Sequence, residues 1–523
     1  MAKFRFVDLF SGIGGFHIAS KRCGGECVAI SEINKDAVEY YNINHKTPTD
    51  LNKGNIKDID SLPAHELMCA GVPCQSWSTA GHKLGFDDER GLLWNDTISL
   101  LKRSRPSAFV FENVNGLVEN RNSEALEYIA SKIRDAEYHA RIYILNASDY
   151  GLPQNRSRMY IVGFKDKVYY DRLCLSEKYQ SPTRLGDILD GYDVIAHAVG
   201  GGTASTVSGK TRQSLSVNDQ GFNDYFIFND IRNGDTTIHS WDITDTTPRQ
   251  KHICTLILKN RRKKRYGVSD SNALRLDHIR ELDSSVTSEE LDELVGMGIL
   301  KHYNYRYSVI GGYKGNDVRV SLLLSRCKDG VLVYDEVKRD KELKKNGVDV
   351  QATIEMLVGE RVLVCDETRY EFKNTKMSVG VDGINRIFLP SSKIFPTMVA
   401  SDTNDFVSTV EIFADNVEEW KSNFMEHIYR PRRYRKITKS EACRLQGFPY
   451  DFVLPERRER WMRLIGNSVA VPVVEMIVRS VVNTGVFDES DWDGLTNGDC
   501  RVGEVAVGVS DKRRPTLSDD VFF

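Results

Sequence analysis

The sequence predicts an α/β fold: a parallel sheet covered by helices on both faces, interrupted by a long insert of α+β texture. Three observations carry that reading. Residues 1–165 alternate short β-rich runs with helical stretches, the order that builds a parallel sheet with helical crossovers. A glycine turn, Ser11-Gly12-Ile13-Gly14-Gly15, stands between the first strand and the first helix. Such sheets bind ligands beyond the carboxyl ends of their strands. Finally, the texture changes after about residue 185 and reverts near the C-terminus.

Taken in order, Phe4–Phe10 reads as the first strand, and a helix follows the glycine turn to Arg22. Cys27–Ser31 is a second strand and Asp36–Asn42 opens a helix. Leu67–Ala70, Ala108–Phe111 and Met159–Phe164 are further apolar strands, with helices over Leu92–Arg103 and Ser123–Asp135. Residues 196–222, rich in Gly, Ser and Thr, read as a link. Leu276–Leu282, Ser288–Met297 and Tyr303–Ile310 give helix, helix and strand, with a helix start at Val286-Thr287-Ser288-Glu289-Glu290. Gly298 and the strand after it could open the hairpin of a winged-helix unit near 271–325; a plain α/β insert fits equally well. Lys439–Gln446 and Asn467–Ser480 are the closing helices. The expected domains are 1–184, an insert at 185–430, a return of the chain at 431–483, and a loosely ordered tail at 484–523.

The chain has 523 residues, 41% hydrophobic and 28% charged, enough apolar material for a large core without disulfide or metal staples. Its formal charge of −3 excludes a surface that is positive all over. It leaves room for a local basic face, because the tail holds nine acids against four bases. Basic clusters stand at Arg261–Arg265 and at Arg430, Arg432, Arg433, Arg435 and Lys436. No run of about 18 apolar residues predicts a membrane span, and the N-terminus does not read as a signal peptide. The ten cysteines form no matched Cys-x-x-Cys pairs, so no metal site is expected and reduced thiols are.

Four places carry chemistry. The glycine turn lets a ligand approach the backbone. Glu32, at the end of the second strand, suits a ribose with free hydroxyls. No pyrophosphate cradle accompanies them, so a nucleoside is the expected ligand. The second place is Gly71-Val72-Pro73-Cys74-Gln75-Ser76-Trp77-Ser78 at a strand end. A single Cys is usually buried filler; in a Pro/Gln/Ser/Trp loop a nucleophile is the stronger reading. The polar stretch Gly81–Gly91 after it reads as a lid. The third place is Phe111-Glu112-Asn113-Val114, whose carboxylate shares a sheet edge with Cys74. The fourth is Gln154-Asn155-Arg156-Ser157-Arg158, where alternation would turn Arg156 and Arg158 to one side of a strand.

These stretches, with Asp8–Phe16, Arg444-Leu445-Gln446-Gly447-Phe448-Pro449 and Ile465-Gly466-Asn467-Ser468-Val469-Ala470-Val471-Pro472, resemble in order and spacing the motifs of DNA cytosine-5 methyltransferases of bacterial restriction-modification type. The resemblance covers residues 1–165 and 435–480. It implies a Rossmann-like S-adenosylmethionine-dependent methyltransferase core with an inserted target-recognition domain. S-adenosylmethionine would be held by Phe10, Ser11, Gly12, Gly14, Gly15, Glu32, Ile33, Asn55, Ile56, Pro73, Leu93, Asn467, Ser468 and Val469. Asn55 stands where the family often has Asp. Cys74, Glu112, Arg156 and Arg158 would be the catalytic set, acting on a cytosine flipped out of duplex DNA. Gln75, Ser78, Arg261, Arg262, Lys263, Lys264, Arg265, Arg432 and Arg433 would touch DNA, and Asp87–Trp94 would belong to the lid. The resemblance further implies a monomer in the bacterial cytoplasm, with a separately acting cognate endonuclease as a possible companion. Thr255-Leu256 and Thr397-Met398 are both similar to a small Thr-plus-apolar pair of the recognition region. An RNA cytosine-5 enzyme of the tRNA-directed type and a DNA-binding regulator with a dead catalytic domain are the rival readings.

Overall fold

A computed structural model describes residues 3–73, 93–179, 183–192, 198–199, 225–228, 236–267, 272–373 and 380–488. Among these, a first compact unit holds the chain up to Tyr225 and again from Ile387, and a second holds Phe226–Arg386. Cys74, Gln75, Ser78, the Gly81–Gly91 lid, the 196–222 link apart from 198–199, and the tail beyond 488 lie outside the described residues.

The first unit is built on a six-stranded sheet in the order β2-β1-β3-β4-β7-β5. β1 (Phe4–Leu9), β2 (Gly25–Ser31), β3 (Leu67–Gly71) and β4 (Ala108–Val114) run parallel. Helices α1 (Gly15–Arg22), α2 (Lys35–His45), α3 (Leu93–Ser104) and α4 (Ser123–Asp135) lie among them in the chain. β3 and the start of β4 are buried residue after residue, as strands covered on both faces must be. Phe109 and Phe111 stack at 4.4 Å, with Trp94 of α3 edge-on to Phe111 at 6.1 Å.

The expectation of a wholly parallel sheet is corrected at one edge. β7 (Ser157–Phe164) runs antiparallel to both β4 and β5 (His139–Asn146). Apolar periodicity locates a strand but carries no direction. β5, an edge strand with only Ala140 fully buried, lacks the apolar run that marked its neighbours. The two-residue strand β6 (Gln154–Asn155), just before β7, lies outside this sheet.

The second unit includes α5 (Pro248–Asn260), α6 (Leu276–Arg280) and α7 (Ser288–Gly296), followed by the long strand β8 (Leu300–Val309). Next come α8 (Val318–Leu324), β9 (Val331–Val333), α9 (Tyr334–Arg339), α10 (Lys341–Lys345), α11 (Val350–Gly359) and β10 (Leu363–Phe372). β8 lies between β9 and β10, antiparallel to both. Three helices and a strand thus follow in winged-helix order. The hairpin expected within 271–325 is not local, however: the long ladder partner of β8 is β10, and α8 belongs to a second core.

The chain then returns to the first unit. The segment 387–430, expected within the insert, packs here: β11 (Phe395–Pro396) pairs in parallel with β6. α12 (Val417–Phe424), α13 (Lys439–Gln446), α14 (Arg458–Asn467) and α15 (Val471–Asn483) complete the unit. The stretch 458–483 is long and apolar enough to cross a membrane, but 72% of its most apolar 18-residue window is buried inside the fold.

Candidate active site

The glycine turn is shaped by left-handed backbone at Phe10 (φ 54), Gly12 (φ 55) and Gly14 (φ 89). Gly14 donates to the Ser11 carbonyl at 2.9 Å, closing the turn. Gly14 must be glycine for space as well: a Cβ there would meet His45 Nε2 at 2.2 Å. Glu32 secures the other side. One carboxylate oxygen accepts from Gly12 N at 2.9 Å, the other from Ile33 N and Asn34 N at 2.9 and 2.7 Å. A Cβ on Gly15 would lie 2.6 Å from Val469 Cγ2 and 3.0 Å from Ser468 Oγ, so the far end of the chain packs onto this turn.

The turn suits a nucleoside-type cofactor. A Cβ on Gly12 would meet nothing within 4 Å, so that face is open. Ser11 Oγ is buried with no hydrogen-bond partner, a hydroxyl left for a ligand. Ile56 is buried beside the core, with Phe10 and Leu93 partly buried against it. Asn55 caps its 3₁₀ turn by accepting from Lys57 N at 3.2 Å. Ile33 and Asn467 stand exposed.

Beneath the turn lies a polar cluster that the sequence did not reveal. His17 Nδ1 is 2.6 Å from Tyr41 OH, His17 stacks on His45 at 4.1 Å, and His45 Nε2 donates to the Ile13 carbonyl at 3.1 Å. Burial pulls His17 down to about 3 and His45 to about 4, so both rings are neutral near pH 7. Asp8 is fully buried, and burial together with the charge of Glu32 pushes its carboxyl well up. Only spatial neighbours make this cluster, and no motif spacing announces it.

At the carboxyl ends of β3 and β4, Gly71 and Glu112 are register partners. Asn113 Nδ2 donates to the Val72 carbonyl at 3.3 Å, tying the approach to Cys74 against β4. Glu112 Oε1 lies 3.1 Å from Arg158 Nε, with side chains 12% and 15% exposed. The two are thus held as an ion pair at the rim, shielded but still reachable.

Arg156 does not face the same way. It falls between β6 and β7 and is buried. Its guanidinium donates to the carbonyls of Met398, Gly466 and Ser468 at 3.1, 3.2 and 2.5 Å. The expected alternation fails because the strand is interrupted at that residue. Gln154 works beside it: its amide donates to the Leu445 carbonyl and to Gln446 Oε1 at 2.7 and 2.9 Å, and its oxygen accepts from Met398 N at 3.3 Å. Thr397 Oγ1 donates to the Asn155 carbonyl. Of the two Thr-plus-apolar pairs, Thr397-Met398 therefore joins the site's framework, while Thr255 and Leu256 sit in α5 of the second unit. Gln154 and Gln446 are scaffold residues that the motif reading quoted without giving them a role.

Among the basic residues, Arg261 departs from expectation. It is 6% exposed, its guanidinium lies 5.3 Å from the centre of the Phe372 ring, and burial lowers its pKa. It is a packing residue rather than a surface cation. Arg262, Lys263, Lys264, Arg265, Arg432 and Arg433 are exposed.

Comparison with known proteins matches residues 4–483 to the C-5 cytosine-specific DNA methylase family. The chain is 37% identical to the Type II methyltransferase M.HgiBI of Herpetosiphon aurantiacus, over 94% of this chain and 99% of that one. It is equally similar to the Type II methylase M.HgiEI of the same organism, with the same coverage. To the Type II methyltransferase M.BanI of Aneurinibacillus aneurinilyticus it is 30% identical, over 92% of this chain and 97% of that one.

Proposed function

The chain belongs to the C-5 cytosine-specific DNA methylase family, and from that premise we propose how its own residues divide the work. It transfers a methyl group from S-adenosylmethionine to C5 of cytosine in DNA. Phe10, Ser11, Gly12, Glu32, Asn55, Ile56 and Leu93 hold the cofactor from one side, and Ser468 and Val469 close it from the other. Once bound, it supplies a methyl group made electrophilic by sulfonium.

Cytosine C5 is a poor nucleophile because the ring is aromatic and electron-poor. Attack of the Cys74 thiolate on C6 breaks the aromaticity and makes C5 enamine-like. Glu112 meets N3 and the exocyclic amine, placing a proton where charge develops. Arg158 holds Glu112 and takes the O2 edge of the base. After methylation a base removes the C5 proton and Cys74 is expelled, restoring the ring. Arg156 is a positioning residue that acts through the carbonyls it gathers. A stacked base cannot reach Cys74, so the cytosine is extruded from the duplex.

The observation that carries this reading is the Glu112–Arg158 pair at 3.1 Å on the sheet edge where Gly71 pairs with Glu112. The protein acts as a monomer, one centre serving one flipped base, and as the modification partner of a restriction system. Incubation with labelled cofactor and either duplex DNA or tRNA tests the substrate: label in DNA alone supports the reading, and label in tRNA alone overturns it. Bisulfite sequencing of DNA from expressing cells then gives the recognition sequence.

A further inference from the structure

The second unit is built from one pattern used twice. Thr287 caps α7 and Asp349 caps α11. The helices end in Leu294-Val295-Gly296 and Leu357-Val358-Gly359. Each is followed two residues later by left-handed backbone, at Gly298 (φ 72) and Arg361 (φ 57). Ile299 N donates to the Leu294 carbonyl at 3.0 Å and Val362 N to the Leu357 carbonyl at 2.9 Å. Each copy then runs into a long strand, β8 or β10.

The strands pair about a local two-fold axis. Leu300 opposes Phe372 and Val309 opposes Leu363. Lys373 N donates to the Ile299 carbonyl at 3.0 Å and Ile310 N to the Val362 carbonyl at 2.9 Å. Leu274 bridges to Tyr370, and Leu332 to the matching Tyr307. Each copy has its own core, one around Leu291, Leu294 and Tyr370, the other around Ile354, Leu357 and Tyr307.

Charge separates this pair from a groove reader. The helix that leads into the long strand of each copy, where a winged-helix protein reads bases, carries no cation. α7 exposes Glu289, Asp292 and Glu293, and α11 exposes Gln351, Glu355 and Met356. The positive charge lies elsewhere. In 338–345, Arg326 holds Asp340 (2.8 Å) and Glu342, and Lys328 holds the neighbouring Glu336 at 3.3 Å. Arg339, Lys341, Lys344 and Lys345 are exposed and pair with no carboxylate among the described residues. The same holds for Lys263 and Lys264 of the first copy.

These stretches flank one part of the shared ladder. Arg261 packs on Phe372, Lys301 pairs with Glu371 at 3.3 Å, and Tyr303 donates to Asp335 of α9 at 2.5 Å. The Glu371 carboxylate lies in the fields of Lys301, Lys338 and Arg261 together.

We propose that the second unit is an internally duplicated winged-helix pair that grips the DNA phosphate backbone through Lys263, Lys264, Arg339, Lys341, Lys344 and Lys345, with α7 and α11 both kept out of the groove. The claim rests on the DNA methylase reading above and adds a backbone clamp to it. Each phosphate contact releases counterions, so each one lost lowers the log–log salt slope of binding by about 0.9.

The test uses the full chain and duplex DNA. In the triple variant Lys341→Ala/Lys344→Ala/Lys345→Ala, the salt slope should fall by about 2–3 and affinity at moderate salt by about tenfold. Lys263→Ala/Lys264→Ala should lower the slope by about 2. Cofactor affinity and the methylated sequence should be unchanged in both, and Lys→Arg versions should keep the original slope. A slope unchanged in both alanine variants overturns the proposal. So does a changed recognition sequence in Glu289→Gln/Asp292→Asn/Glu293→Gln, which would place α7 in the groove. Failure of the unaltered chain to methylate DNA would instead strike the activity, while leaving the binding result readable.

Discussion

Replacing Arg156 with Met isolates the part of the site that holds distant segments together. The side chains are similar in length, but the guanidinium donates three hydrogen bonds, to the carbonyls of Met398, Gly466 and Ser468. Hydrogen bonds to a charged group contribute about 1.5–3 kcal/mol each. Their sum overstates the loss, because the carbonyls relax and admit water. Leaving a buried acceptor unsatisfied costs about 1–3 kcal/mol, so about 3 kcal/mol is the expected destabilisation here. Urea unfolding gives the total, and hydrogen exchange by mass spectrometry gives its location. Protection should fall in 396–400 and 464–470 while β8 and β10 of the second unit keep theirs. Cofactor affinity should weaken too, because Ser468 and Val469 sit against Gly15. A loss below about 1 kcal/mol, with exchange unchanged in both segments, would refute the reasoning.

Other consequences are equally direct. Gly15→Ala should cost about 1–3 kcal/mol by overpacking and weaken cofactor binding; Val469→Ala in the same chain should recover part of it, and strict additivity of the two would contradict the contact. Glu112→Gln should lower methylation about 10²–10⁴-fold with little change in DNA affinity, measured by single-turnover kinetics. His17 and His45 bind protons in the unfolded chain below about pH 6.5 but in the fold only near 3 and 4. Their contribution to stability is therefore complete above pH 6.5 and is lost as pH falls. For the buried His17 it amounts to about 2 kcal/mol by pH 5. Ring-proton NMR shifts of both histidines should stay neutral down to pH 5, and midpoints near 6.5 would contradict their burial.

The sequence makes β1, its glycine turn and Glu32 legible because the constraint is local: glycine where φ is positive, and an acid one strand away. Glu112 is legible because it ends an apolar strand. The antiparallel β5–β7 edge is not, because alternation fixes a strand's faces and not its direction. Arg156 and Arg158 look equivalent in sequence, and only the break between β6 and β7 turns one into the scaffold and leaves the other beside Glu112. Arg261 sits in a basic run and still turns inward onto Phe372, since composition does not record which cation packs. The duplication escapes because its copies share spacing, caps and left-handed turns more than residues, and β8 and β10 meet far from their positions in the chain.

The proposed attack of Cys74 on C6 of the target cytosine can be trapped as a covalent adduct. A duplex carrying 5-fluorocytosine at the target lacks the C5 proton whose removal would expel the thiolate. With cofactor present, a species with the mass of protein, DNA strand and one methyl group is expected, and none with Cys74→Ser. An adduct that persists in Cys74→Ser, or methylcytosine formed by that variant at the unaltered rate, would contradict it.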